Sequence, residues 1–204
     1  MKYFAIILSA IALCCCKTNS SHNCIYPLPQ SDSADSLQNS TIYVGFNTTD
    51  FNWSDSTLKV TIYQENRYHT ADVEALQIGD TLLYEGKKMP INTIETIKDI
   101  IQINGDLEHG GVNLTSCNDG TYRATSFDDH SVFTKIGNTT FPIGNTLRLI
   151  DCGENPQDAS TTITSGIQGY LDSIPNYRKN FAPINTTISI AGGVVTEIHR
   201  IWIP

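Results

Sequence analysis

Asp128-Asp129-His130 is the densest run of titratable side chains in the sequence. Two adjacent carboxylates and an imidazole can bind a divalent cation or act as acid and base in a hydrolysis. Neighbouring side chains on a strand point to opposite faces, so both carboxylates converge only if the segment turns. A turn also has a purely structural use for aspartate, whose carboxylate accepts backbone N–H bonds from residues just ahead. The position between Phe127 and Val132, two residues expected to be buried, favours the structural use. His69 with Asp72 makes a poorer dyad, His109 beside Gly110-Gly111 belongs to a loop, and His199 falls on a strand with Arg200 facing the other way. No Gly-x-Ser-x-Gly, HExxH, P-loop or GxGxxG pattern occurs, so neither a cofactor nor a resident metal is expected. Trp53 and Tyr63 are the aromatic residues that could line a flat binding surface.

The six cysteines divide into two groups. Cys14, Cys15 and Cys16 close an N-terminal segment with a basic start (Lys2) and an apolar stretch from Tyr3 to Leu13. That stretch is too short to span a bilayer and has the length of an export signal. The segment resembles a bacterial lipoprotein signal, in which a Leu stands three residues before the modified Cys; with Leu13 at that position, Cys16 fits best among Cys14, Cys15 and Cys16. The resemblance implies a diacylglyceryl group on Cys16, removal of residues 1–15, and a protein anchored in the cell envelope, periplasmic or surface-exposed. Cys24, Cys117 and Cys152 remain. An exported protein tolerates disulfides, and Cys117 with Cys152 is the only pair inside the expected fold, so the two are either bridged or separate buried thiols. No CxxC pair supports zinc.

The elements that position these residues are mostly strands. Ile42, Val44 and Phe46 alternate with polar or small neighbours, as do Leu58, Val60 and Ile62, which predicts half-buried strands with one wet face. Three hairpins are expected: Val112–Phe127 turning at Asn118-Asp119-Gly120, Val132–Ile143 turning at Gly137-Asn138, and Thr186–Ile203 turning at Gly192-Gly193. Leu76 to Ile97 reads as short strands and tight turns. Ile163, Ile167, Tyr170, Leu171 and Ile174 recur at helical spacing before Pro175, predicting one short helix near 161–173. The expected fold is mainly β, an antiparallel sandwich or partly open β-barrel of about ten strands. Residues 16–40 carry no periodicity and read as a flexible tether able to hold the domain some tens of ångströms off the membrane. The rest, 41–204, reads as a single β-rich domain.

With 204 residues, 21 acidic and 13 basic, the chain carries a net charge of −8, and −9 once Lys2 leaves with the signal. That balance argues against a nucleic-acid partner, because neutralising phosphates needs a basic face. Seven Asn-x-Ser/Thr triplets, at Asn19, Asn39, Asn47, Asn52, Asn113, Asn138 and Asn185, would be acceptors in eukaryotic secretion, but a bacterial signal makes them coincidental. Asp32-Ser33-Ala34 and Asp35-Ser36-Leu37 resemble the O-glycosylation acceptors of Bacteroidota.

The Ala75–Tyr84 segment with its Gly79-Asp80 turn resembles the entry of self-splicing Hint domains. The terminal Ile201-Trp202-Ile203-Pro204 lacks their His-Asn pair, which leaves the turn a structural role. From Thr61 onward the chain is similar to exported proteins of unknown function from gut bacteria. The residues that carry this are Gly79-Asp80-Thr81, Ile103-Asn104-Gly105, Gly110-Gly111, Gly120-Thr121-Tyr122, Asp128-Asp129, Asn185-Thr186-Thr187 and Glu197-Ile198-x-Arg200-Ile201. The similarity implies no activity. The expected function is therefore that of a lipid-anchored, non-catalytic binding or accessory domain with an unknown protein or glycan ligand. Two rivals are an exported hydrolase using Asp128, Asp129 and His130, and a structural subunit offering an edge strand.

Overall fold

A computed structural model describes residues 22–29, 38–152 and 160–203. Cys16 lies outside them. Strands come in chain order as β1 (Cys24–Ile25), β2 (Asn39–Asn47), β3 (Phe51–Asn52), β4 (Thr57–Glu65) and β5 (Arg67–His69), followed by helix α1 (Thr70–Glu74). Next are β6 (Thr81–Tyr84), β7 (Lys87–Pro90), β8 (Ile94–Ile97), β9 (Ile100–Ile103), β10 (Val112–Ser116) and β11 (Thr121–Thr125). The long β12 (Phe133–Asp151) and short β13 (Thr161–Ile163) precede helix α2 (Ile167–Ser173), and β14 (Asn180–Phe181), β15 (Thr186–Ala191) and β16 (Val194–Arg200) complete the series. The protein is mainly β, of the sandwich or partly open barrel kind, with one helix of seven residues.

The largest sheet curls into a ring. β2 pairs with β4 and β15, β15 with β16, and β12 pairs with β16 through its C-terminal half and with β4 through its N-terminal half. Nineteen residues allow β12 to serve both neighbours, and its junctions show register shifts, the bulges that let a strand bend. The alternation read from the sequence fills the interior: Ile42, Val44, Phe46, Leu58, Val60 and Ile62 are buried, with Leu149, Ile188 and Ile198 facing them. Ile167 and Leu171 of α2, with Ile174 just after it, join that core. A second sheet, ordered β5-β11-β10-β9-β8, and the small β1-β6-β7 sheet enclose a separate core around Tyr68, Leu82, Ile91, Ile103 and Leu114. Asn66 joins the two bodies. It is fully buried between β4 and β5, its N–H donates to the Val132 carbonyl and its carbonyl accepts from Ala124 N–H, while its Oδ1 accepts from the Thr134 hydroxyl.

Three expectations change. Gly137-Asn138 is no hairpin turn: β12 runs through it, and Gly137 has no positive φ to form a type I′ turn. Just before it, a register shift between Lys135 and Gly137 leaves Ile136 as an exposed bulge. The helix begins at Ile167 rather than 161, because Gly166 takes a left-handed φ of 66° and residues 161–163 pair with β12 instead. The tether is interrupted: Cys24–Ile25 form a parallel pair with β6, Leu28 N–H donates to the Arg67 carbonyl, and β2 begins at Asn39. Of the two readings left open for Cys117 and Cys152, the separate thiols are seen: Cys117 follows β10 in the second sheet and Cys152 follows β12 in the ring. The expected turn at Gly192-Gly193 is present, with φ of 59° and 76°, values a Cβ disfavours.

Candidate functional site

On the outer face of the ring, pairing places Gly45 of β2 beside Thr61 of β4, and Thr61 beside Asn138 of β12. These three form the floor of an open cleft of about 360 Å³. Period-two alternation explains the floor: Phe46 and Val60 turn inward to the core, so Gly45 and Thr61 must turn outward. The Thr61 hydroxyl donates to Asn138 Oδ1 at 2.8 Å, fixing both groups. Tyr63 stands along one side, Asn47, Asp50 and Lys59 along another, and β14 with Pro183 forms a wall. Gly45 is what leaves the space open: a Cβ there would lie 3.1 Å from the Tyr63 ring and 3.4 Å from the Phe181 carbonyl oxygen. The Asp50 carboxylate accepts from Asn47 N–H at 2.7 Å, which holds the turn after β2 at the rim. Chemically the cleft offers amides, hydroxyls, one carboxylate, one ammonium and the Tyr63 ring. It contains no His, Cys or Ser to act as a nucleophile–base pair. Such a set binds by hydrogen bonds and an aromatic face.

Behind the β14 wall lies a cluster that the sequence did not mark. Asp151, with no exposed surface, accepts from Arg200 Nε at 2.9 Å and Nη2 at 2.5 Å, Arg178 Nη2 at 2.8 Å and the Tyr170 hydroxyl at 2.8 Å. Burial alone would raise the Asp151 pKa, but the Arg200 hydrogen bonds and charge, aided by Tyr170 and Arg178, outweigh it and hold the carboxyl below its ordinary range. Burial and the same carboxylate push the Tyr170 phenol up. Arg200 also donates to the Arg178 carbonyl and lies 4.0 Å above the Phe181 ring, which stacks on Phe46 at 4.5 Å. The cluster thus ties α2, β12 and β16 to β14, and so fixes the cleft's wall. The one sequence signal was Arg200 on the inward side of β16; its partner Asp151 is 49 residues away and gave none.

The residues singled out from the sequence fall elsewhere or partly here. Tyr63 lines the cleft. Trp53 does not: it stacks on Phe51, centroids 4.6 Å apart, and packs against the ring core. Asp128, Asp129 and His130 form a turn between β11 and β12, where Ser126 N–H donates to the His130 carbonyl and Asp129 N–H to the Ser126 carbonyl. Asp129 takes φ 56° and pairs with Arg123 at 3.0 Å. Phe127, expected inside, is 71% exposed at the tip of that turn. Among the described residues no group of three or more His, Cys, Asp or Glu side chains could hold a metal. His109 lies in a short 3-10 turn with its Nδ1 2.6 Å from Asp106, His69 is exposed, and Asp80 is a buried acceptor in its turn. No described helix is long and apolar enough to cross a membrane. No family profile, curated protein or solved structure is significantly similar to the chain.

Proposed function

We propose that the protein is a lipid-anchored, exported binding module that holds a hydroxyl-rich ligand, a glycan segment, in the cleft on the ring's outer face. The observation that carries this reading is the Gly45–Thr61–Asn138 floor beneath the Tyr63 ring. Amide and hydroxyl groups can donate to and accept from sugar hydroxyls, and an aromatic face suits the apolar C–H side of a pyranose. Asp50 and Lys59 at the rim add one group of each sign, which favours a neutral ligand over a strongly charged one. The lipid anchor at Cys16 rests on Lys2, the apolar stretch to Leu13 and the position of Leu13.

The test is titration of the purified domain with neutral and acidic oligosaccharide panels, followed by NMR or calorimetry. Neutral oligosaccharides are expected to bind, and Tyr63→Ala and Gly45→Val to abolish the binding in folded protein. Binding that survives both substitutions, or that depends on Asp128 or His130, overturns the assignment.

A further inference from the structure

The chain between the Cys16 anchor and the fold is far shorter than the sequence suggests. Only five residues, Lys17 to Ser21, separate Cys16 from His22, and from His22 onward the segment is fastened down. Asn23 N–H donates to Asp80 Oδ1 at 2.7 Å, Thr81 N–H donates to the Asn23 carbonyl at 2.9 Å, and Ile25 is buried in the second core. Asp80 is itself held, accepting from Gln77 N–H at 2.9 Å. His22 packs so closely over Gly79 that a Cβ there would meet its ring at 2.4 Å. Fully extended, the six steps from Cys16 to His22 reach about 20 Å. The His22 backbone therefore stays within that distance of Cys16, and the Gln77–Asp80 turn lies against the His22 ring.

At this turn the apolar side chain Ile78 is 65% exposed. A single exposed isoleucine is ordinary on a protein surface. This one stands where the anchored chain enters the fold. We infer that in the anchored protein the Gln77–Asp80 turn rests on the bilayer with Ile78 against the lipid, which rests on the lipid-anchor reading above. β1 then leads away from the membrane to Leu28, whose carbonyl accepts from Gln64 of β4, and the ring with its cleft lies beyond. The second body is a spacer in this arrangement. Asp72 and Glu74 on α1 flank the turn, so the lipid surface it suits is zwitterionic rather than anionic.

The experiment uses the full lipidated protein in phosphatidylcholine vesicles. Ile78 is replaced by photoreactive benzoylphenylalanine, and in a second sample Phe127 is replaced instead. Phe127 is a fair reference because it is equally exposed but lies at the opposite end of β11 from α1. About tenfold more lipid adduct is expected at position 78, and a Gly/Ser insertion of about 20 residues between Ser21 and His22 should erase most of that difference. Equal adducts at the two positions in protein whose mass shows an acylated Cys16 overturn the orientation and leave the anchor standing. An unacylated N-terminus overturns both.

Discussion

Replacing Asp151 with Ala probes the cluster behind the cleft. The substitution removes the acceptor of four charge-assisted or hydroxyl hydrogen bonds and leaves Arg200, 4% exposed, with the Arg178 carbonyl and the Phe181 ring as its side-chain partners among the described residues. Stranding one member of a buried ion pair costs about 3–5 kcal/mol. For a protein of this length that corresponds to a melting temperature lower by about 6–20 °C. Urea unfolding followed by circular dichroism should show a lower midpoint with an unchanged slope. The pH dependence supplies a second signature. The folded carboxyl titrates below its unfolded value, so the unfolded chain binds the proton first as pH falls. Its contribution is complete above the ordinary Asp range near pH 4 and is lost progressively as pH falls through the lower folded value. In Asp151→Asn that part of the acid limb should disappear. Converting the pair together, Asp151→Leu with Arg200→Met, should recover much of the loss, because the stranded charge is gone. A cost below about 1 kcal/mol for Asp151→Ala, or an unaltered acid limb in Asp151→Asn, refutes the assigned role.

Other substitutions test separate parts of the structure. Gly45→Val should fill the cleft floor and abolish oligosaccharide binding while the circular dichroism spectrum stays native, since the nearest obstacle is the movable Tyr63 ring. Gly192→Val with Gly193→Val should destabilise by about 1 kcal/mol or more per residue, measured as a lower urea midpoint, because both φ angles are positive. Asp129→Ala should change stability by less than about 1 kcal/mol, as its partner Arg123 is reached across an exposed surface. Mass spectrometry of the mature N-terminus should find a diacylglyceryl group on Cys16; an unmodified terminus would sink the anchor.

The sequence made period two visible where one face was dry at Ile42-Val44-Phe46 and Leu58-Val60-Ile62, and it marked the turns that use left-handed residues at Gly120 and Gly192-Gly193. It misled at Gly137-Asn138, where turn-forming residue types follow a bulge, because a bulge and a hairpin both begin with a break in alternation. Phe127 misled for a related reason: an apolar type next to a strand was assigned to the core, but the turn throws it outward. The helix core was legible from Ile167, Leu171 and Ile174, whereas its start depended on the φ of Gly166, which residue type alone permits without imposing. Of the cleft, Tyr63 was visible. Gly45, Thr61 and Asn138 were not, since their meeting depends on cross-strand register set by residues up to 93 positions apart, and the Asp151–Arg200 pair escaped for the same reason.

The ring has a consequence for how the chain folds. Residues 67–125, from β5 to β11, pair mainly with neighbours in the chain and are inserted between two ring strands, β4 and β12. The ring itself closes only through distant partners: β2 meets β15, with Thr41 against Ser189, and β12 meets β16. Local contacts form faster than distant ones, because closing a long loop must precede any gain from it. The inserted body should thus gain amide-exchange protection first during refolding, and the ring strands should follow together once β15 and β16 arrive. Until then β2 and β12 expose unpaired edges, so the interval before closure is when the chain is most open to association with other copies.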